Sequence, residues 1–266
     1  MKKILVIIAL VLVLQALISN VFLRVGMLFM NETDVNLFQQ SSLYYWILGA
    51  ALISANVLLV IFVYLLISRE DAHPLMSYLT LPRVRDLILV LATFLCLMIF
   101  VNGSIELFPV EAKESKVFNG MVHNGLCILD LVVFSAFAEE ICFRRGILGL
   151  LLKNQKVRRY ALVLSALIYG VLQLNPPQML GSFVLGLFFG WLYIRTHSIT
   201  FTIICHMVNN LVGIVLGLLL GLGTKLIDCF PNALSFYIVM GILAIASFIF
   251  FQITRKKIYK APSFSE

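Results

Sequence analysis

Long apolar runs separated by short polar segments constrain the fold of this chain more than any other feature. Because 61% of its 266 residues are hydrophobic, a soluble domain of this size could not bury them all, and the bilayer must act as solvent. About 20 helical residues cross the ~30 Å hydrocarbon layer. The sequence therefore predicts an all-α, polytopic membrane protein with about eight transmembrane helices, at residues 4–23, 43–67, 87–101, 126–152, 160–174, 178–194, 199–221 and 233–253.

The positions of the charged residues indicate the orientation in the membrane. Cytoplasmic loops of membrane proteins are enriched in Lys and Arg, and a cytoplasmic N-terminus places most of the 20 basic residues on the inner side. Eight spans then put both termini in the cytoplasm. The net charge of +7 is explained by this topology, so we expect no nucleic-acid partner. The start of the chain resembles a signal peptide, but no small-x-small cleavage site follows, and we expect a retained first span.

The fourth apolar run contains two adjacent glutamates and an arginine, Glu139, Glu140 and Arg144. Such groups persist at membrane depth mainly where they line a cavity or perform chemistry. On an α-helix Glu140 and Arg144 are four residues apart and can pair, whereas Glu139 points roughly 140° away from Arg144. We expect the pair to neutralise itself and to leave Glu139 for general-base chemistry. A buried ion network that only fixes helix packing is the alternative.

The seventh run contains a second polar pair, His206 and Asn210, which are four residues apart and share one helix face. Gly213, Gly217 and Gly221 continue that face. Glycines at four-residue spacing are typical of close contacts between membrane helices, so the pattern predicts that this face looks into the bundle and that His206 is interior. A histidine that serves only packing is the alternative interpretation.

These two patterns together resemble the CPBP family of intramembrane proteases, the CAAX prenyl protease and bacteriocin-processing group that is also called Abi. The family has Glu-Glu-x-x-x-Arg followed far downstream by His-x-x-x-Asn. Further likenesses are Phe143 beside the arginine, Asn175-Pro176, and the segment 193–198 that leads into the histidine. The resemblance covers roughly residues 126–215. It implies a membrane-embedded endopeptidase of eight helices that hydrolyses peptide bonds near the membrane surface.

The resemblance also implies roles for individual residues. By motif position, Glu139 is the base that activates water, Glu140 and Arg144 form a supporting pair, and His206 and Asn210 stabilise the developing oxyanion. Three domains follow from it: three N-terminal spans and an outer loop at 1–125, the CPBP-like catalytic core at 126–215, and the end of the seventh span, a final helix and a basic tail at 216–266.

One family motif is altered. Where the family has Phe-x-x-x-His, this chain has Tyr169 to Gln173, and a glutamine could orient water but cannot exchange a proton near neutral pH. Losing one proton-transfer group typically costs about 10²–10⁴-fold in rate. His123 and His197 lie in predicted loops, and no spacing argument places either in the site. One glutamate and one interior histidine supply too few ligands for catalytic zinc, so we expect no metal and no cofactor.

Two main hypotheses follow. The first is an intramembrane endopeptidase, impaired by Gln173, that acts on a peptide or membrane-protein substrate in the plasma membrane of a bacterial cell. The second is a catalytically silent scaffold, a regulator or immunity-type protein that holds a peptide or a partner helix in the same cavity. A small-solute transporter is a third class, but no inverted repeat supports it. The sequence predicts neither the substrate's identity nor the oligomeric state.

Overall fold

The computed structural model describes residues 2–30, 35–68, 75–106 and 116–260, and all regular structure in these ranges is helical. The predicted all-α class is therefore confirmed. The α-helices are α1 (Lys2–Met30), α2 (Val35–Gln40), α3 (Ser42–Ser68), α4 (Val84–Ile105), α5 (Lys116–Met121), α6 (Gly125–Leu129), α7 (Ser135–Glu140), α8 (Gly149–Lys153), α9 (Ala161–Val171), α10 (Pro176–Thr196), α11 (Thr200–Leu220) and α12 (Ala233–Lys257).

Within the described ranges, six helices are long and apolar enough to cross a membrane: α1, α3, α4, α10, α11 and α12. The chain is thus an integral multi-pass membrane protein. The other two predicted spans, 126–152 and 160–174, are also helical, but the first is divided into short α- and π-helical segments and the second contains the 11-residue helix α9. The count of eight spans and the cytoplasmic termini stay predictions.

The fourth predicted run forms an uninterrupted helical stretch over residues 125–153 that changes type along its length. Two π-helical segments, Asp130–Phe134 and Ile141–Leu148, alternate with α6, α7 and α8. Asn124 caps the start, since its side-chain oxygen accepts the backbone N–H groups of residues 126 and 127. π-Helical turns are rare and are frequently found at functional sites. Here they flank α7, the short helix that carries both glutamates.

The chain divides into two compact units, which are described separately. The first comprises residues 1–73, 113–142 and 206–222. In it α1 packs along α3, and the Nζ of Lys3 donates to the carbonyl of Leu66 over 2.8 Å. Next, α3 packs against α6 at Gly49, where an added Cβ would lie only 2.7 Å from Leu126. This close approach brings the start of the 125–153 stretch against the second long helix.

The second unit comprises residues 74–112, 143–205 and 223–266. Its helices α9 and α10 form an antiparallel pair that is joined by a short turn, and Gly170 allows the contact because an added Cβ would lie 2.7 Å from the carbonyl oxygen of Met179. Helices α4 and α12 pack together through a 2.8 Å hydrogen bond between the hydroxyls of Thr93 and Thr254. Phe94 of α4 stacks on rings of α10.

The glycine face of α11 is a prediction that proved wrong. Gly213 is exposed, and a Cβ added to it would meet no atom within 4 Å. A Cβ added to Gly217 would meet only the side chain of Leu222, two residues after the end of α11. Gly221 lies beyond the last residue of α11, with φ of 95°, a left-handed conformation that glycine adopts readily at helix ends. The pattern failed because glycine spacing marks a close approach only where a second helix is present.

Candidate active site

The two adjacent glutamates of α7 differ in their surroundings. The side chain of Glu140 is fully buried, whereas that of Glu139 is 29% exposed. Adjacent residues of a helix point in directions roughly 100° apart, so one side chain faces the packed interior while the other reaches a more open region. The sequence predicted that the two side chains point in different directions, but it did not predict that Glu139 is the more exposed one.

The imidazole of His206 lies between the two glutamates. Its Nδ1 is 3.0 Å from Oε1 of Glu140, a hydrogen bond, and its Nε2 is 3.9 Å from Oε2 of Glu139, which is too long for a direct hydrogen bond. His206 is buried, with 5% of its surface exposed. All three residues belong to the first unit, so the fourth and seventh predicted spans meet here through ionisable groups.

This geometry determines what the imidazole can do. A carboxylate can only accept a hydrogen bond, so with ionised Glu140 the Nδ1 of His206 carries a proton and donates it. Nε2 is then directed toward Glu139, whose Oε2 lies 3.9 Å away. A histidine that is held by one buried carboxylate and faces a second, more exposed one is a typical arrangement for moving a proton or stabilising charge.

Asn210, one helical turn after His206, contacts the first π-helical segment. Its Nδ2 donates to the carbonyl oxygen of Leu131 over 2.8 Å, and its Oδ1 accepts from Nδ2 of Asn209 over 3.2 Å. One of its two amide N–H groups therefore joins α11 to the π-helical segment that precedes α7. Its predicted part as an oxyanion donor stays a prediction.

Arg144 lies in the second π-helical segment, and its pairing with Glu140 stays a prediction. Its guanidinium is nearly fully buried and lies over the rings of Tyr169, 4.7 Å from the centroid, and Phe189, 5.2 Å from the centroid. The contact with Tyr169 joins it to the altered family motif. These two ring contacts lie within the second unit.

Gln173 also belongs to the second unit and lies in the turn that follows α9, where its backbone N–H donates to the carbonyl of Gly170. The structure therefore places the altered motif position at the end of a helix. His123 and His197 both lie outside helices, as predicted. His123 is exposed, and its Nδ1 contacts the carbonyl of Asn119. His197 is half-buried, and this burial lowers the pKa of its imidazole.

The central contact, between Glu140 and His206, was missed at the sequence level. The two residues are 66 positions apart, and no local spacing signals their pairing. The π-helical segments around α7 were missed as well, since nothing in their residue composition distinguishes them from an α-helix. Across the described part of the chain, no group of three or more His, Cys, Asp or Glu side chains is arranged to hold a metal ion.

Residues 122–212, about a third of the chain, match the family model described as "Type II CAAX prenyl endopeptidase Rce1-like". This confirms the resemblance to CAAX-type proteases that the two motifs indicated. The matched segment contains both glutamates, the arginine, the altered motif and the His-x-x-x-Asn pair. No curated protein and no solved structure matches the chain.

Proposed function

We propose, on the premise that residues 122–212 form a core like that of type II CAAX prenyl endopeptidases, that this chain is a membrane-embedded endopeptidase. The observation that carries the proposal is the position of His206 between Glu139 and Glu140. Its substrate is a peptide or membrane protein whose scissile bond lies close to the membrane, and we place the enzyme in the plasma membrane of a bacterial cell.

In the proposed reaction, Glu139 acts as the general base, since its partly exposed carboxylate is the one that water can reach. It accepts a proton from water as the water oxygen bonds to the carbonyl carbon of the substrate. The negative charge that develops on the carbonyl oxygen is stabilised by the Nε2–H of His206, whose imidazole is then protonated on both nitrogens, and by the second amide N–H of Asn210. When the C–N bond breaks, the proton on Glu139 passes to the leaving amine.

The remaining motif residues support this reaction without taking part in bond breaking. Glu140 holds Nδ1 of His206, which fixes the ring and keeps Nε2 directed at the reacting groups. We assign Arg144 to the support of the glutamate helix, and Gln173 to the orientation of water. Because a glutamine cannot carry a proton, we expect slower turnover than a histidine at that position would give.

The test is hydrolysis of a farnesylated CAAX peptide with a fluorophore and a quencher on either side of the scissile bond. We expect the purified wild-type chain to cleave it, and Glu139→Gln and His206→Gln to lower kcat by about 10²–10⁴-fold. Asp228→Asn is the matched control, because it makes the same carboxylate-to-amide change at an exposed turn. Wild-type cleavage that Glu139→Gln leaves unchanged would refute the mechanism.

Gln173 favours a second candidate, the catalytically silent scaffold. A chain that is no longer selected for catalysis can lose a proton-transfer residue, and a glutamine at this position is consistent with such a loss. In that case the same polar site binds a peptide or a partner's transmembrane helix without cleaving it. The two candidates differ in one result. A scaffold binds the farnesylated peptide with equal affinity in wild type and Glu139→Gln and cleaves it in neither, whereas the peptidase loses turnover on that substitution.

A further inference from the structure

A chain of polar side chains, buried at Asn56 and Asp130 and half-buried at Gln15, connects α1, α3 and the first π-helical segment of the first unit. Nδ2 of Asn56 on α3 donates to Oδ1 of Asp130 over 2.8 Å, and Nε2 of Gln15 on α1 donates to Oδ1 of Asn56 over 3.1 Å. Asn56 and Asp130 are 2% and 3% exposed. A buried polar group that loses its hydrogen bond costs about 1–3 kcal/mol. Such a chain therefore fixes the relative positions of the helices that contribute to it.

Asp130 is also the first residue of the π-helical segment that precedes α7. There the N–H of Ser135 donates to the carbonyl of Asp130, five residues back, and so does not donate to Leu131 as it would in an α-helix. The carbonyl of Leu131 accepts from Oγ of Ser135 and from Nδ2 of Asn210, both over 2.8 Å. The π turn thus offers a backbone acceptor to α11.

The two sets of contacts meet at the π turn from opposite directions. On one side the Asp130 side chain joins the turn to α3, and on the other the Leu131 carbonyl joins it to Asn210 on α11. Asn210 lies on the same face as His206, one helical turn later. Through these contacts the turn links α3 to α11, one helical turn from the His206 imidazole.

We propose that Asp130 and Asn56 are positioning residues, which hold the π turn on α3 so that Asn210 and His206 are correctly placed for the glutamates. The positioning proposal depends on the proposed peptidase function only in the experiment that measures turnover. The position of the imidazole is a separate property of the folded chain. Positioning requires a hydrogen-bond acceptor at residue 130 and not a negative charge, so an asparagine there preserves it.

The experiment compares Asp130→Asn, which keeps an acceptor, with Asp130→Leu, which has a similar shape and none. We expect Asp130→Leu to lower kcat by about 100-fold with little change in KM, since small misplacements of catalytic groups cost about that much, and Asp130→Asn to stay within about 3-fold of wild type. Ser54→Ala is the control on α3, because Oγ of Ser54 bonds only within its own helix, to the carbonyl of Ala50.

A second measurement does not depend on catalysis. In the full chain in detergent, labelled with nitrogen-15 at histidine, the Nδ1 proton of His206 is assigned by its loss in His206→Gln. We expect this signal to shift or disappear in Asp130→Leu, and to persist in Asp130→Asn and Ser54→Ala, because it reports the hydrogen bond to Glu140.

Two results overturn the proposal. The first is that the Asp130→Leu variant folds and has the kcat and the His206 signal of the wild type. The second is that the Asp130→Asn variant loses as much kcat and as much of the His206 signal as the Asp130→Leu variant. Should Asp130→Leu not fold, Asn56→Ala is judged against Ser54→Ala by the same criteria. If the wild type cleaves nothing, the proposed function fails, and the imidazole signal alone decides the positioning role.

Discussion

Nδ1 of His206 lies 3.0 Å from Oε1 of Glu140, and both side chains are buried where α7 meets α11. This hydrogen bond joins the two motifs that characterise the chain. The sequence analysis expected Glu140 to pair with Arg144 and did not predict this contact with His206. The buried glutamate directs the histidine, while the more exposed glutamate faces its other nitrogen.

Glu140→Gln tests this relationship. The amide can still accept a hydrogen bond, but it carries no charge to stabilise a protonated imidazole, so we expect kcat on the farnesylated peptide to fall by about 100-fold or more with KM nearly unchanged. Glu106→Gln is the control, since that glutamate accepts the backbone N–H groups of Leu226 and Ile227 in the second unit. An equal loss in both variants would contradict a specific role for Glu140.

Gln173→His introduces a proton carrier at the position that the proposed function assigns to the orientation of water. We expect turnover of the same peptide to rise by about 10²-fold, because a positioned acid or base typically contributes at least that much. Gln178→His, at an exposed position in the first turn of α10, is the matched control and should change nothing. If neither the wild type nor the Gln173→His variant cleaves the peptide, a histidine at this position is not sufficient for catalysis.

Arg144→Lys tests the aromatic surroundings of the buried guanidinium. A planar guanidinium stacks on the rings of Tyr169 and Phe189, whereas an ammonium cannot, and we expect the free energy of unfolding to fall by about 1–2 kcal/mol. Arg159→Lys changes an exposed arginine that also lies over a ring, that of Tyr160, and should cost at most about 0.5 kcal/mol. Thermal unfolding in detergent measures both; equal shifts would contradict the burial argument.

Leu174 follows Gln173 in a left-handed conformation, with φ of 55° and 74% of its surface exposed. A side chain with a Cβ loses roughly 1–2 kcal/mol in this conformation and glycine does not, so we expect Leu174→Gly to raise the melting temperature by about 2–4 °C. Leu180→Gly, at an exposed site within α10, should instead lower it, because glycine weakens helix interiors. A decrease in both would mean that Leu174 makes contacts worth more than its strain.

The glycines test where helices approach closely. Gly170→Ala places a Cβ 2.7 Å from the Met179 carbonyl in the α9–α10 pair, and overpacking of this kind costs about 1–3 kcal/mol. Gly213→Ala meets open space and should leave the melting temperature unchanged or raise it slightly, since alanine favours helix. Destabilisation by Gly213→Ala would indicate that its face is covered in the membrane.

The apolar runs determined the fold class without reference to tertiary structure, since their length and composition leave the helix as the conformation that suits a bilayer. The family resemblance was likewise readable from two short motifs. Burial of His206 could be anticipated too, because a histidine inside an apolar helix is costly to expose to lipid.

Only the tertiary structure decided which groups meet. The hydrogen bond from His206 to Glu140 joins residues 66 positions apart, and the one from Asn56 to Asp130 joins residues 74 positions apart. No local sequence pattern predicts contacts over such separations. The π-helical segments were also not predicted, because the sequence analysis counted angles on an ideal α-helix throughout. The prediction for the glycine face of α11 was wrong because glycine spacing shows only which helix face lacks side chains. A neighbouring helix must also be present to pack against that face.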